Sequence, residues 1–149
     1  MLRGRGRLFM HAAVSHQAHA KPLVTVVEAD EHSRESLRAL LATLDVEVAT
    51  YPSAETYLTA KRRPQCLIAD MVLPGMSGLD LLRRLRAGGD KLPVILLAEE
   101  SDVPTAVAAM REGASDFIEK PHADVAILKR VSQLLRRDPR RPRGERSRS

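Results

Sequence analysis

Short apolar runs recur along the chain, and three of them end abruptly in carboxylates. Leu23 to Val27 leads into Glu28, Cys66 to Ala69 leads into Asp70, and Val94 to Ala98 leads into Glu99 and Glu100. Runs with almost no polar alternation belong to strands covered on both faces, as in a parallel sheet. Between them the apolar period changes. Leu37, Leu40, Leu41 and Leu44 recur at three- and four-residue spacing, the stripe of a helix lying on a sheet. This pattern predicts strands at Val24–Val27, Val46–Ala49, Cys66–Ala69, Val94–Leu97 and Phe117–Ile118. Helices are predicted at Ser33–Leu44, Ala54–Ala60, Gly78–Arg86, Pro104–Glu112 and Asp124–Arg136. Pro104 suits a first helical turn, and Gly88-Gly89 and Gly113 are stop signals. Strict alternation of strand and helix implies an α/β fold: a parallel sheet with right-handed crossovers and helices on both faces.

In such a sheet, ligands collect outside the carboxyl ends of the strands. The segment from Cys66 to Gly78 brings Asp70 to that edge and follows it with Leu73-Pro74-Gly75-Met76-Ser77-Gly78, a turn and then a helix start. Asp70 is thus the leading candidate for chemistry. An Asp that merely caps the following turn is the alternative. A further short run, Ala114 to Glu119, ends in Lys120-Pro121. Acid, acid, a small residue and Lys-Pro therefore meet at one edge.

These motifs, in this order, resemble the receiver domain of bacterial two-component response regulators, in detail its FixJ-type branch. The stretches that carry the likeness are Arg34-Glu35-Ser36-Leu37, Tyr51-Pro52-Ser53-Ala54-Glu55, Leu73 to Leu82, Asp102 to Val107 and Gly113 to Pro121. The resemblance spans about residues 22–137 and implies the flavodoxin-like, doubly wound form of the α/β fold, with five parallel strands. It implies Asp70 as phosphoacceptor, Lys120 as the charge-neutralising lysine and a cis peptide before Pro121. Phe117 matches the aromatic switch position, with an ordinary core role as the alternative. Mg²⁺ in the family is held by paired acids after the first strand, by the phosphorylated Asp and by a backbone carbonyl two residues on. Here those positions read Glu28 with Ala29, Asp70 and Val72.

Two departures follow from that alignment. Ala29 removes the second acid, and Asp30 stands one place too far along to replace it. Because Mg²⁺ demands near-ideal octahedral oxygen geometry, Glu28, Asp70 and Val72 are expected to bind it weakly. Ala98 stands at the switch position where the family has Thr or Ser, so the hydroxyl that bonds the phosphoryl group is missing. Glu99 and Glu100 are expected at the pocket rim, where they repel an incoming phosphoryl group.

Charge separates the body of the chain from its ends. Residues 22–135 carry net −4, whereas residues 1–21 carry +4 and residues 136–149 carry +5. The Arg-rich stretch from 138 onward has no apolar residue beyond its prolines and is expected to be disordered, as is the basic extension over 1–21. Such a tail attracts nucleic acid only non-specifically. Histidines 11, 16 and 19 lack accompanying Cys or acidic residues and predict no metal site. Cys66 lies inside an apolar strand and is expected to be a buried, inert thiol. No stretch is apolar enough to span a bilayer and no secretory leader is visible, so the expectation is a cytoplasmic protein without membrane association.

Two functions from different classes remain open. One is a phosphorylatable response regulator acting through its receiver alone, since no helix-turn-helix follows. The other is a degenerate receiver, a protein-interaction module independent of phosphate. A hydrolase is disfavoured, because no second Asp stands two residues after Asp70, and no enzymatic activity is expected. The resemblance implies a sensor histidine kinase or phosphotransfer protein as donor and a downstream protein as receiver of the signal, with a homodimer also open. By analogy the interaction face includes Val103, Val107, Met110, Arg111, Phe117, Lys129 and Arg130.

Overall fold

The computed structural model describes residues 20–99, 103–120 and 123–137. Five strands alternate with five helices: β1 (Leu23–Val27), α1 (Glu31–Leu41), β2 (Glu47–Tyr51), α2 (Ala54–Ala60), β3 (Cys66–Asp70), α3 (Gly78–Ala87), β4 (Val94–Ala98), α4 (Val103–Arg111), β5 (Asp116–Glu119) and α5 (Asp124–Arg136). All pairings are parallel and the strand order is β2-β1-β3-β4-β5. The order reverses direction between β1 and β3, and a crevice at that switch point lies outside the carboxyl ends of the two strands.

Successive strand residues face opposite layers, which divides the core in two. Val24, Val26, Cys66, Ile68, Ile95 and Leu97 pack with Leu37 and Leu41 of α1 and with Ile127, Val131 and Leu134 of α5. Val27, Leu67, Ala69, Val94 and Leu96 pack with Tyr57 of α2, Leu81 and Leu82 of α3, and Ala109 of α4. Because β1, β3 and β4 contribute to both layers, they are buried throughout, as their unbroken apolar runs require. Cys66 is one of these buried residues, and burial pushes its thiol pKa up to about 12, which keeps it protonated and unreactive at neutral pH.

Element positions follow the sequence pattern, with shifts at ends where capping or pairing decides. The first helix begins at Glu31, two residues before the predicted Ser33, because the Asp30 side chain accepts the Ser33 N–H at 2.8 Å and caps it. It ends at Leu41, not Leu44, although Leu44 still packs on the core. The second strand runs Glu47–Tyr51 in place of Val46–Ala49, since its register is fixed by β1, with Leu23 opposite Glu47 and Val27 opposite Tyr51. Gly113, with φ of +102°, closes α4 in a conformation only glycine adopts easily. Among the described residues no helix is long and apolar enough to cross a membrane. Residues 1–19 and 138–149 of the basic ends, with Glu100, Asp102 and Pro121, lie outside the described residues.

Candidate functional site

Glu28 follows directly on β1, Asp70 is the last residue of β3, and Lys120 follows β5. Each apolar strand ends just where its polar residue reaches the crevice, so the side chains converge although 92 positions separate Glu28 from Lys120. The Lys120 Nζ donates to Asp70 Oδ2 at 2.7 Å and to Glu28 Oε1 at 3.1 Å. Glu28 and Asp70 are 4% and 5% exposed. Two adjacent buried carboxylates thus share one ammonium, which offsets one of their two negative charges and makes burying the acids more tolerable.

The remaining carboxylate oxygens are also engaged. Asp70 Oδ1 accepts the Val72 N–H at 2.9 Å, so Asp70 both caps the turn and presents its other oxygen to Lys120. Glu28 Oε2 accepts the Asp30 N–H at 3.1 Å. The Arg34 guanidinium bonds the carbonyls of Glu28 and Ala29 at 2.9 and 3.1 Å and ties the loop between β1 and α1.

These contacts set the titration of Glu28 and Lys120. Burial is the main cause that raises the Glu28 pKa, and the adjacent Asp70 carboxylate adds to it, against opposing hydrogen bonds from Asp30 and Lys120. Burial works against the Lys120 charge, but the hydrogen bonds and charges of Asp70 and Glu28 outweigh it and raise its pKa. Lys120 is a permanent cation at physiological pH.

The donor set does not fit Mg²⁺ well. Ala29 offers no oxygen from its side chain, and the Asp30 carboxylate is turned to the helix start, where it bonds Ser33. Glu28 and Asp70 are both committed to the ammonium. Among the described residues no group of three His, Cys, Asp or Glu could hold a metal ion. The remaining oxygen of the expected set is the backbone carbonyl of Val72, whose side chain is exposed. An octahedral site built on two carboxylates shared with a lysine is a poor match for a small, strongly hydrated cation.

Ala98 and Phe117 lie in the fourth and fifth strands, as the strand pattern places them. Ala98 ends β4, and its carbonyl accepts the Lys120 N–H at 2.7 Å, but its methyl group has nothing to donate. Phe117 in β5 is half-buried against the layer formed by α2, α3 and α4. Glu99 sits at the rim as expected, and its Oε2 lies 3.6 Å from Lys120 Nζ.

One supporting residue had no role in the sequence reading. Glu55, in the first turn of α2, accepts the Met76 N–H at 2.8 Å and fills the space beside Gly75. It anchors the loop that follows Asp70 from 21 positions away. Gly75 has φ of +75°, so the loop also needs its glycine. Only the stretch Tyr51 to Glu55 signalled this position, and no local pattern joins it to Met76.

A family model described as the response regulator receiver domain matches residues 24–132. The chain belongs to the response regulator receiver family. Transcriptional regulatory protein FixJ of Azorhizobium caulinodans is 41% identical, over 85% of this chain and 61% of the relative. Nodulation protein W of Bradyrhizobium diazoefficiens is 36% identical, over 88% of this chain and 59% of the relative. The receiver thus spans about three fifths of the length of these two relatives. The crystal structure of a response regulator receiver protein from Pseudoalteromonas atlantica is similar with a TM-score of 0.72 and 35% identity, covering 76% of this chain and 97% of that one.

Proposed function

We propose that this receiver accepts a phosphoryl group on Asp70 in two-component signalling, with metal and switch chemistry altered by Ala29 and Ala98. The observation that carries the reading is the 2.7 Å contact between Lys120 Nζ and Asp70 Oδ2, with both groups at the sheet's switch point. An Asp70 oxygen attacks the phosphorus of a phosphohistidine on a sensor kinase or phosphotransfer protein. The O–P bond forms, the N–P bond breaks, and the imidazole nitrogen keeps the electron pair. The protein's part is to position the carboxylate and neutralise charge on the equatorial oxygens, which Lys120 supplies. Val72 stands two residues after Asp70, where a hydrolase of this kind would need its acid. The role is therefore that of acceptor and signal carrier, exercised through a downstream protein partner.

A second reading rests on Ala98. With no hydroxyl at the end of β4, phosphorylation has no side-chain donor there through which to distinguish two conformations. A ligand shifts an equilibrium only by its differential affinity for the two states. Under this reading the receiver is a phosphate-independent interaction module.

Labelling with acetyl phosphate, with and without Mg²⁺, tests the two. The expected result is slow gain of one phosphoryl mass, lost in Asp70→Asn, and faster labelling in the Ala29→Asp, Ala98→Thr double variant. No labelling of the native chain under any condition, with partner binding unchanged in Asp70→Asn, would establish the interaction module instead.

A further inference from the structure

Lys120 carries a third carboxylate besides the buried pair. Glu99 follows directly on the last residue of β4, and its Oε2 lies 3.6 Å from the ammonium, while its side chain is 77% exposed. An ammonium has three N–H donors. Two are directed at Asp70 and Glu28, whose side chains are only 6% and 5% exposed and whose other oxygens are bound by backbone N–H groups. Glu99 thus takes the solvent side of the same cation. That is the side from which any anion must arrive.

We propose that Glu99 is a built-in competitor for the anion position on Lys120, and so sets how readily the pocket admits a phosphoryl group. The inference rests on the reading of Asp70 and Lys120 as the receiving pair. Its force comes from Ala98. A phosphoryl group arriving here finds no hydroxyl at the end of β4, so it depends on Lys120 more than it would if a Thr stood there. With Glu99 paired to that ammonium, the incoming group meets a cation already shared among three carboxylates and a net negative surround. Glu99 is the exchangeable member. An ion pair with one partner in water is held weakly, so its side chain can swing away when an anion or a partner's cationic group takes over.

The variants Glu99→Gln and Glu99→Asp test this, because an exposed side chain can be changed without disturbing the core. Inorganic phosphate is titrated at low ionic strength while the amide signals of Ala98 and Lys120 are followed by NMR. Labelling of Asp70 by acetyl phosphate is read in parallel by intact mass. In that reaction an Asp70 oxygen bonds to phosphorus while acetate departs with the electrons of the broken P–O bond. Glu99→Gln should bind phosphate about tenfold more tightly than the native chain, with the gain shrinking as salt screens the charge. Labelling should accelerate to a similar degree. Glu99→Asp keeps the charge but shortens the reach, and should fall between the two. Equal phosphate affinity in the native chain and Glu99→Gln overturns the proposal. So does a gain in Glu99→Gln with Glu99→Asp identical to native, which would reduce Glu99 to a rim charge that does not occupy the ammonium. Tighter phosphate binding in Glu99→Gln without any labelling of Asp70 supports the competitor role and instead removes Asp70 as acceptor.

Discussion

Gly78 lies so close to the carbonyl of Asp70 that a β-carbon at residue 78 would stand 2.2 Å from the oxygen. The helix that follows the acceptor loop can start where it does only because its first residue has no side chain. Gly78→Ala should therefore destabilise the receiver by about 3 kcal/mol, since backbone must move to admit the methyl group. Gly88→Ala is the control. Its nearest neighbour would be 3.6 Å away and its φ is −85°, so it should be neutral or stabilising by about 0.5 kcal/mol. Urea unfolding of both variants checks the pair, and equal midpoints would refute the steric argument.

Lys120 is expected to matter for folding as well as for phosphate. Lys120→Met leaves two buried carboxylates facing each other and should cost about 3 kcal/mol. Adding Glu28→Gln to that variant removes one of the facing charges and should recover at least about 1 kcal/mol. A double-mutant cycle from chemical denaturation measures both, and additive losses would mean that Glu28 and Lys120 are not coupled.

The raised pKa of Glu28 has a consequence for stability against pH. Its ordinary value is 4.5, and burial followed by the Asp70 carboxylate raises it in the folded chain. Between those two values the folded state holds the proton more firmly than the unfolded state, so Glu28 makes stability fall as pH rises through that window. Lys120 does not interfere there. Its pKa is raised from 10.5, so its contribution is complete below that value and is lost only as pH rises through the still higher folded one. Glu28→Gln should gain on the native chain as pH rises from 4.5 toward neutrality, read as the difference in urea midpoints. A difference that stays flat across that range would show that Glu28 titrates normally.

Mg²⁺ should have little effect on the native receiver. With Ala29 at the second acidic position, calorimetric titration is expected to show binding at millimolar levels or none, and the melting temperature should move by no more than about 2 °C at millimolar Mg²⁺. Ala29→Asp should tighten binding and make the melting temperature respond to the cation. A tight site in the native chain would mean that Glu28, Asp70 and the Val72 carbonyl suffice.

Much of this was legible in the sequence, because the signals are local. Apolar runs without polar alternation mark strands buried on both faces, and a carboxylate at the end of such a run can only reach the sheet edge. Asp70, Glu28 and Lys120 are therefore placed at that edge by pattern, and the resemblance to receiver domains makes Ala29 and Ala98 visible as missing oxygens. Tertiary structure decided what pattern cannot encode. It determined that one ammonium serves Asp70, Glu28 and Glu99 together, that Asp30 turns away to cap a helix, and that Glu55 holds the acceptor loop through Met76. The Lys120 and Glu55 contacts depend on side-chain reach between segments far apart in the chain, whereas the Asp30 cap spans three residues and is settled by which way its side chain turns.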